Sequence, residues 1–77
     1  MKIRTSNGVE LTDESLMTVT MNGYAKQKGV AVHVFETSLL EYLIVKGDMP
    51  VFSSPRAEDI AARIDMMALD IEFGGDE

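Results

Sequence analysis

Side chains that could do covalent or metal chemistry are few in this sequence and unevenly spread. His33 is its only histidine, and cysteine is absent. A serine nucleophile needs a histidine base held by a carboxylate, and a zinc site needs several histidine or cysteine ligands. A single histidine inside VAVHVFE completes neither set, and it reads as a satisfied core or edge residue. Carboxylates are the abundant group. Pairs of them serve general acid–base work and glycoside cleavage, but spacing alone selects no acid and no base, and a solvated helix face looks the same. The acidic C-terminal segment lacks the regular oxygen-ligand spacing of an EF-hand. EFGGDE reads as a helix end rather than a phosphate-cradling loop. The expectation is a protein that is not an enzyme, with no catalytic, metal or cofactor-binding residues.

Charge distribution narrows the partners. Residues 1–57 hold six basic and six acidic side chains, so the net charge of -6 sits entirely in residues 58–77, where seven carboxylates accompany Arg63. Nucleic-acid backbones are held by Lys and Arg that displace counterions, so direct DNA or RNA binding is not expected. No apolar run approaches the roughly 18 residues that span a bilayer, and MKIRTSNG lacks the apolar core of a signal peptide. A soluble, cytoplasmic protein with no membrane role is expected. With 45% hydrophobic and 26% charged residues over 77 positions, the composition is that of one globular domain rather than a disordered chain.

The elements that would carry these groups follow from pattern and punctuation. MKIRTSNGVELT places two β-compatible runs around Ser6-Asn7-Gly8, a hairpin with Ile3, Val9 and Leu11 on its buried side. TDESLMTVTMNGYAKQKG has Thr12 as N-cap, Asp13 and Glu14 in a first turn, Lys26 and Lys28 in a last one, and Gly29 as a stop. That predicts a helix with Leu16, Met17, Thr20, Met21 and Tyr24 on one face. The alternation of Met17, Val19 and Met21 with threonines, and Asn22-Gly23 as a turn, keep a strand open as the alternative. VAVHVFE is the clearest strand. Ser38 and Glu41 have capping-box spacing before an apolar run ended by Gly47, which predicts a short buried helix with Leu39, Leu40, Leu43 and Ile44 in the core. The alternative makes Tyr42–Val45 a strand. Residues 48–52 read as a connector because of Pro50, and Ser54-Pro55 as the start of a long helix that ends at Gly74-Gly75. The sum is an α+β domain over residues 1–77: an N-terminal hairpin, a helix, a central strand, a short buried segment and a long acidic helix on a small antiparallel sheet, with 74–77 an acidic tail.

That last helix has apolar residues on two sides. At about 100° per residue, Ile60, Ile64, Met67 and Ile71 form one stripe, and Ala62, Met66, Leu69 and Phe73 form a second roughly opposite it. Glu58, Asp65 and Glu72 run down one flank; Asp59, Arg63 and Asp70 run down the other, with Asp59 and Arg63 spaced for an i,i+4 pair. Either the helix lies in a groove and both stripes are core, or the second stripe meets another chain. So small a domain has little left to cover both sides, and apolar patches with polar rims mark interfaces. The expected partner-binding set is therefore Glu58, Asp59, Ala62, Asp65, Met66, Leu69, Asp70, Glu72 and Phe73. The expected function is a small inhibitor or adaptor that engages a basic protein surface, of the anti-defence or antitoxin sort that mobile genetic elements carry. The alternatives are a structural subunit of a homo-oligomer, of which a homodimer is the simplest, or of a larger assembly, and a nucleic-acid mimic.

Overall fold

A computed structural model describes residues 2–73 of the chain. The expected helix stop at Gly74-Gly75 and the acidic tail 74–77 lie outside the described residues. Strands β1 (Lys2–Arg4) and β2 (Glu10–Thr12) form the hairpin with Ile3 opposite Leu11. Its loop spans five residues around the expected Ser6-Asn7-Gly8, closed by Thr5 N–H to the Val9 carbonyl at 2.8 Å, with Gly8 at φ +88. The buried side is carried by Leu11, while Ile3 stays exposed.

The segment left open between helix and strand is helix α1 (Leu16–Gln27). Its cap is Ser15, whose Oγ accepts from Thr18 N–H at 3.2 Å. Thr12 is not the cap, because its Oγ1 is used earlier, by Glu14 N–H at 3.2 Å. At the other end Val30 N–H donates to the Ala25 carbonyl and Gly29 N–H to that of Lys26. With Gly29 at φ +77 this is a Schellman cap, and the glycine is required there. Later start and firm caps rotate the buried face from the expected Leu16, Met17 and Thr20 to Thr18 and Ala25, with Met21 and Tyr24 half-buried. Thr18 is fully buried at little cost, because its hydroxyl donates to the Ser15 carbonyl at 2.9 Å.

Strand β3 (His33–Thr37) begins three residues later than the valine run suggests, since Val30 is spent on the helix cap. Beyond it the capping-box helix is replaced by a turn into β4 (Tyr42–Lys46). Thr37 Oγ1 accepts from Leu39 and Glu41 N–H, and the Ser38 hydroxyl is taken by Glu10 N–H, so no cap remains for a helix. Leu39 and Leu40 are consequently exposed rather than core, and Leu40 holds φ 63, a left-handed conformation that costs a leucine about 1–2 kcal/mol. The expected connector is β5 (Met49–Ser54). Gly47, at φ +66, turns β4 into it, and Pro50 is tolerated because β5 is an edge strand whose register shifts at Ile44/Val45. Helix α2 (Ala57–Glu72) starts after Pro55 rather than at it: Ser54 still belongs to β5, accepts from Arg56 N–H at 3.1 Å and donates to Asp59 Oδ2 at 2.7 Å.

The result is an α+β fold, a five-stranded antiparallel sheet in the order β1-β2-β3-β4-β5 with α1 inserted between β2 and β3. Val34 and Ile44 face each other across β3 and β4 and meet Ala25 of α1 and Ile60 and Ile64 of α2 in one buried cluster. The alternate residues Phe35, Leu43 and Val45 point to the other side of the sheet. Because β2 pairs with β3 only at Leu11–Thr12, the Val34 backbone lacks a strand on that edge. Asn22 of α1 replaces it: Oδ1 accepts from Val34 N–H at 2.8 Å while Nδ2 donates to the Val34 carbonyl at 3.0 Å and to that of Thr18 at 2.9 Å. Asn22-Gly23 is thus a mid-helix clamp and not a turn.

Two stability measurements follow from this packing. Ile64→Ala is expected to cost about 2–5 kcal/mol, a large part of a total near 4–11 kcal/mol, whereas Met66→Ala on the opposite side of α2 costs less than about 0.5 kcal/mol in urea unfolding. Asn22→Ala strands two backbone groups of β3 at once and is expected to cost about 1–3 kcal/mol in the same experiment.

Candidate interaction surface on the C-terminal helix

The two stripes of α2 part company in the folded chain. Ile60 and Ile64 are fully buried, Met67 is half-buried, and Ile71, expected in the core, is 62% exposed. The core cluster around Ile60 and Ile64 takes in Val34, Ile44, Phe52 and Met67 but not Ile71. The second stripe is at the surface: Met66 is 58%, Leu69 51% and Phe73 77% exposed, and Ala62 is exposed beside them. The last two turns of α2 therefore show apolar side chains on both sides.

Crevices flank this end. One, of 630 Å³, lies against Gln27 and Lys28 at the end of α1, with Ala68, Leu69 and Ile71 on its other wall. The second, of 410 Å³, has a sheet-side wall of Val30, Val32, Val51 and Lys46 and a helix wall of Met67, Asp70 and Ile71. Neither crevice has a sequence signature of its own. The only hint is that the inner stripe runs a full turn beyond Met67.

The acidic residues divide by what they touch. Asp65 is half-buried, accepts a short hydrogen bond from the Tyr24 hydroxyl and lies 3.9 Å from Lys28 Nζ. That bond, with some desolvation, raises the pKa of the Tyr24 phenol. Asp59 is bound to Ser54, and the expected Asp59–Arg63 pair does not form, because Arg63 stacks its guanidinium 4.4 Å from the Phe52 ring. Glu58 is exposed and pairs with Arg56 at 2.9 Å, and the guanidinium holds its carboxyl below the usual range. Asp70 and Glu72 are exposed and, among the described residues, make no ion pair or hydrogen bond. They also stand in the last turn, which holds no basic residue, where the negative end of the helix dipole opposes them by about 0.3–1 kcal/mol each. Of the nine expected residues, Ala62, Met66, Leu69, Phe73, Asp70 and Glu72 are thus presented outward with Glu58, whereas Asp59 and Asp65 are committed inside the protomer.

His33 is committed as well. Its Nε2 lies 2.7 Å from Asp13 Oδ2, and its ring stacks on Phe35 with centroids 4.6 Å apart, which ties the start of β3 to the residues leading into α1. Among the described residues no three His, Asp or Glu side chains converge as a metal site requires, and no helix is long and apolar enough to cross a membrane. Compared with protein-family models, with curated proteins and with solved structures, the chain matches none.

The Tyr24–Asp65 bond has a pH signature. Because the folded-state pKa of the phenol is raised above its unfolded value near 10, its contribution to stability is complete below about pH 10 and is lost as pH rises through the higher folded value. Ultraviolet titration of phenolate in the folded protein should show a component above the free-tyrosine midpoint that disappears in Tyr24→Phe.

Proposed function

We propose that the protein is a non-enzymatic, cytoplasmic protein-binding module, an inhibitor or adaptor that docks the outer face of α2 on a basic surface of its target. The observation that carries this reading is the exposure of Met66, Leu69 and Phe73 on one helix face, with Asp70 and Glu72, unpaired among the described residues, at its margins. Apolar anchors of this kind supply most of the binding energy at protein interfaces, and rim charges supply orientation and on-rate. Lysines or arginines of a target near the end of α2 would offset the unfavourable placement of Asp70 and Glu72 in the last helical turn. The mimicry of nucleic acid has less behind it, because it requires a broad field of free carboxylates. Here Glu58, Asp59 and Asp65 are occupied by Arg56, Ser54 and Tyr24.

A photo-crosslinker at Ala62, used in extracts of the native host, should capture a specific protein that Leu69→Glu fails to capture while keeping a native circular dichroism spectrum. Affinity for that protein should fall more than about thirtyfold with Leu69→Glu and should weaken with added salt. A captured protein bound equally well by Leu69→Glu would end this reading.

A further inference from the structure

The crevice under the end of α2 has a property that the outer stripe lacks. Its two walls carry opposite charges that do not meet: Lys46 stands on the sheet wall, Asp70 on the helix wall, and among the described residues neither forms an ion pair in the protomer. Between them the lining is apolar, Val32, Val51, Met67 and Ile71, with Val51 and Ile71 exposed. In a two-fold dimer each wall of a patch faces the opposite wall of its symmetry mate, so a patch with a cation on one side and a carboxylate on the other is complementary to itself. We infer that the protein forms a two-fold homodimer through this crevice, with Ile71 of each protomer packed near the axis and Lys46 of each paired with Asp70 of the other.

Three features of the molecule meet in that arrangement. The inner stripe of α2, which runs off the sheet after Met67, gains an apolar neighbour for Ile71. Asp70, opposed by its own helix dipole, gains a cation beside the C-terminal turn. The mutual repulsion that two acidic helices would suffer is offset at the contact by two lysines. The exposed strand of the sheet at this side, β5, does not provide a rival route to association, because Pro50 and the register shift at Ile44/Val45 blunt its edge. The outer stripe of Ala62, Met66 and Leu69 is on the opposite side of the helix and stays open in the dimer with Glu72 as the rim carboxylate left for a target, so this inference does not depend on the proposed target.

Light scattering and sedimentation over a range of concentrations test it. The wild type should be a dimer. Ile71→Glu, which alters an exposed side chain, should stay folded and raise the dissociation constant by more than about thirtyfold. Lys46→Glu and Asp70→Lys should each weaken the dimer by about tenfold or more, since each variant sets like charges against each other at two contacts. An equimolar mixture of those two variants should form a heterodimer with affinity within about twofold of the wild type, because both contacts are then between opposite charges. Leu69→Glu should leave the dimer intact, which separates failure here from failure of the target-binding proposal. A wild type that is monomeric at every concentration overturns the inference. So does a dimer indifferent to Ile71→Glu, or a mixture of the charge variants that stays monomeric.

Discussion

The burial of Ile60 and Ile64 against Val34 and Ile44 is the contact on which the rest of this structure depends. Each isoleucine contributes about 1.5–3 kcal/mol by leaving water, and together they are the only fully buried side chains of α2. They lie one turn apart in the first half of a helix about 24 Å long. The core cluster they anchor takes in Met67 and Ala68 but not Ile71, and beyond it a crevice separates the end of the helix from Lys46 and Val51 of the sheet. The exposure of Ile71 follows from where the core ends, whereas Met66, Leu69 and Phe73 are exposed because they lie on the side of α2 turned away from it. Four apolar side chains are thereby left at the surface of one helix end.

The remainder of the fold limits how neighbouring chains can approach. An antiparallel sheet of five short strands offers two edges, and both are poor templates for another strand. At one edge β1 is three residues long, two of them charged; at the other Pro50 removes a donor and the register shift disturbs the ladder. A third edge, left where β2 ends early beside β3, is closed within the chain by the Asn22 carboxamide, which offers Val34 the same donor and acceptor that a strand would. With the backbone edges short, blunted or closed, side-chain surfaces offer more for another chain to meet, and four exposed apolar side chains gather at the end of α2.

Sequence reasoning recovered what local chemistry decides and missed what tertiary contacts decide. The hairpin at Asn7-Gly8, the Gly29 helix stop and the two stripes of α2 are properties of a few adjacent residues, and they appear where the pattern puts them. The short helix over 38–47 failed because Ser38 and Glu41, which have the spacing of a capping box, are each bound elsewhere: the Ser38 hydroxyl serves Glu10, twenty-eight residues away. Pro50 argued against a strand, and only the position of β5 at an edge with a shifted register makes it acceptable. The buried face of α1 was missed for a local reason. Thr18 is a poor core candidate by type and becomes a good one once Ser15 supplies its hydrogen bond. For the candidate surface, the outer apolar positions were legible from 3.6-residue periodicity, but the fate of each carboxylate was not. Asp59 and Asp65 look the same as Asp70 in the sequence until Ser54 and Tyr24 are brought beside them.

That division among carboxylates bears on how a strongly acidic helix can be both a stable element and a contact surface. The acids in the first turns, Glu58 and Asp59, face the positive end of the helix dipole and have partners at Arg56 and Ser54, so they contribute to the fold. Asp65, halfway along, clamps α2 to α1 through Tyr24 and Lys28. Asp70 and Glu72 have neither advantage. They add charge where the dipole disfavours it, on turns whose apolar residues the core does not cover. Selection for stability alone would place lysines there. Carboxylates at these positions are favoured only where something positive approaches from outside, and Lys46 on the facing wall of the crevice gives the protein itself a group of that charge to offer. Along α2 the acids thus pass from paired ones over a buried stripe to ones that, among the described residues, are unpaired beside exposed apolar side chains, and the part of the helix that adds least to the fold is the part most open to another chain.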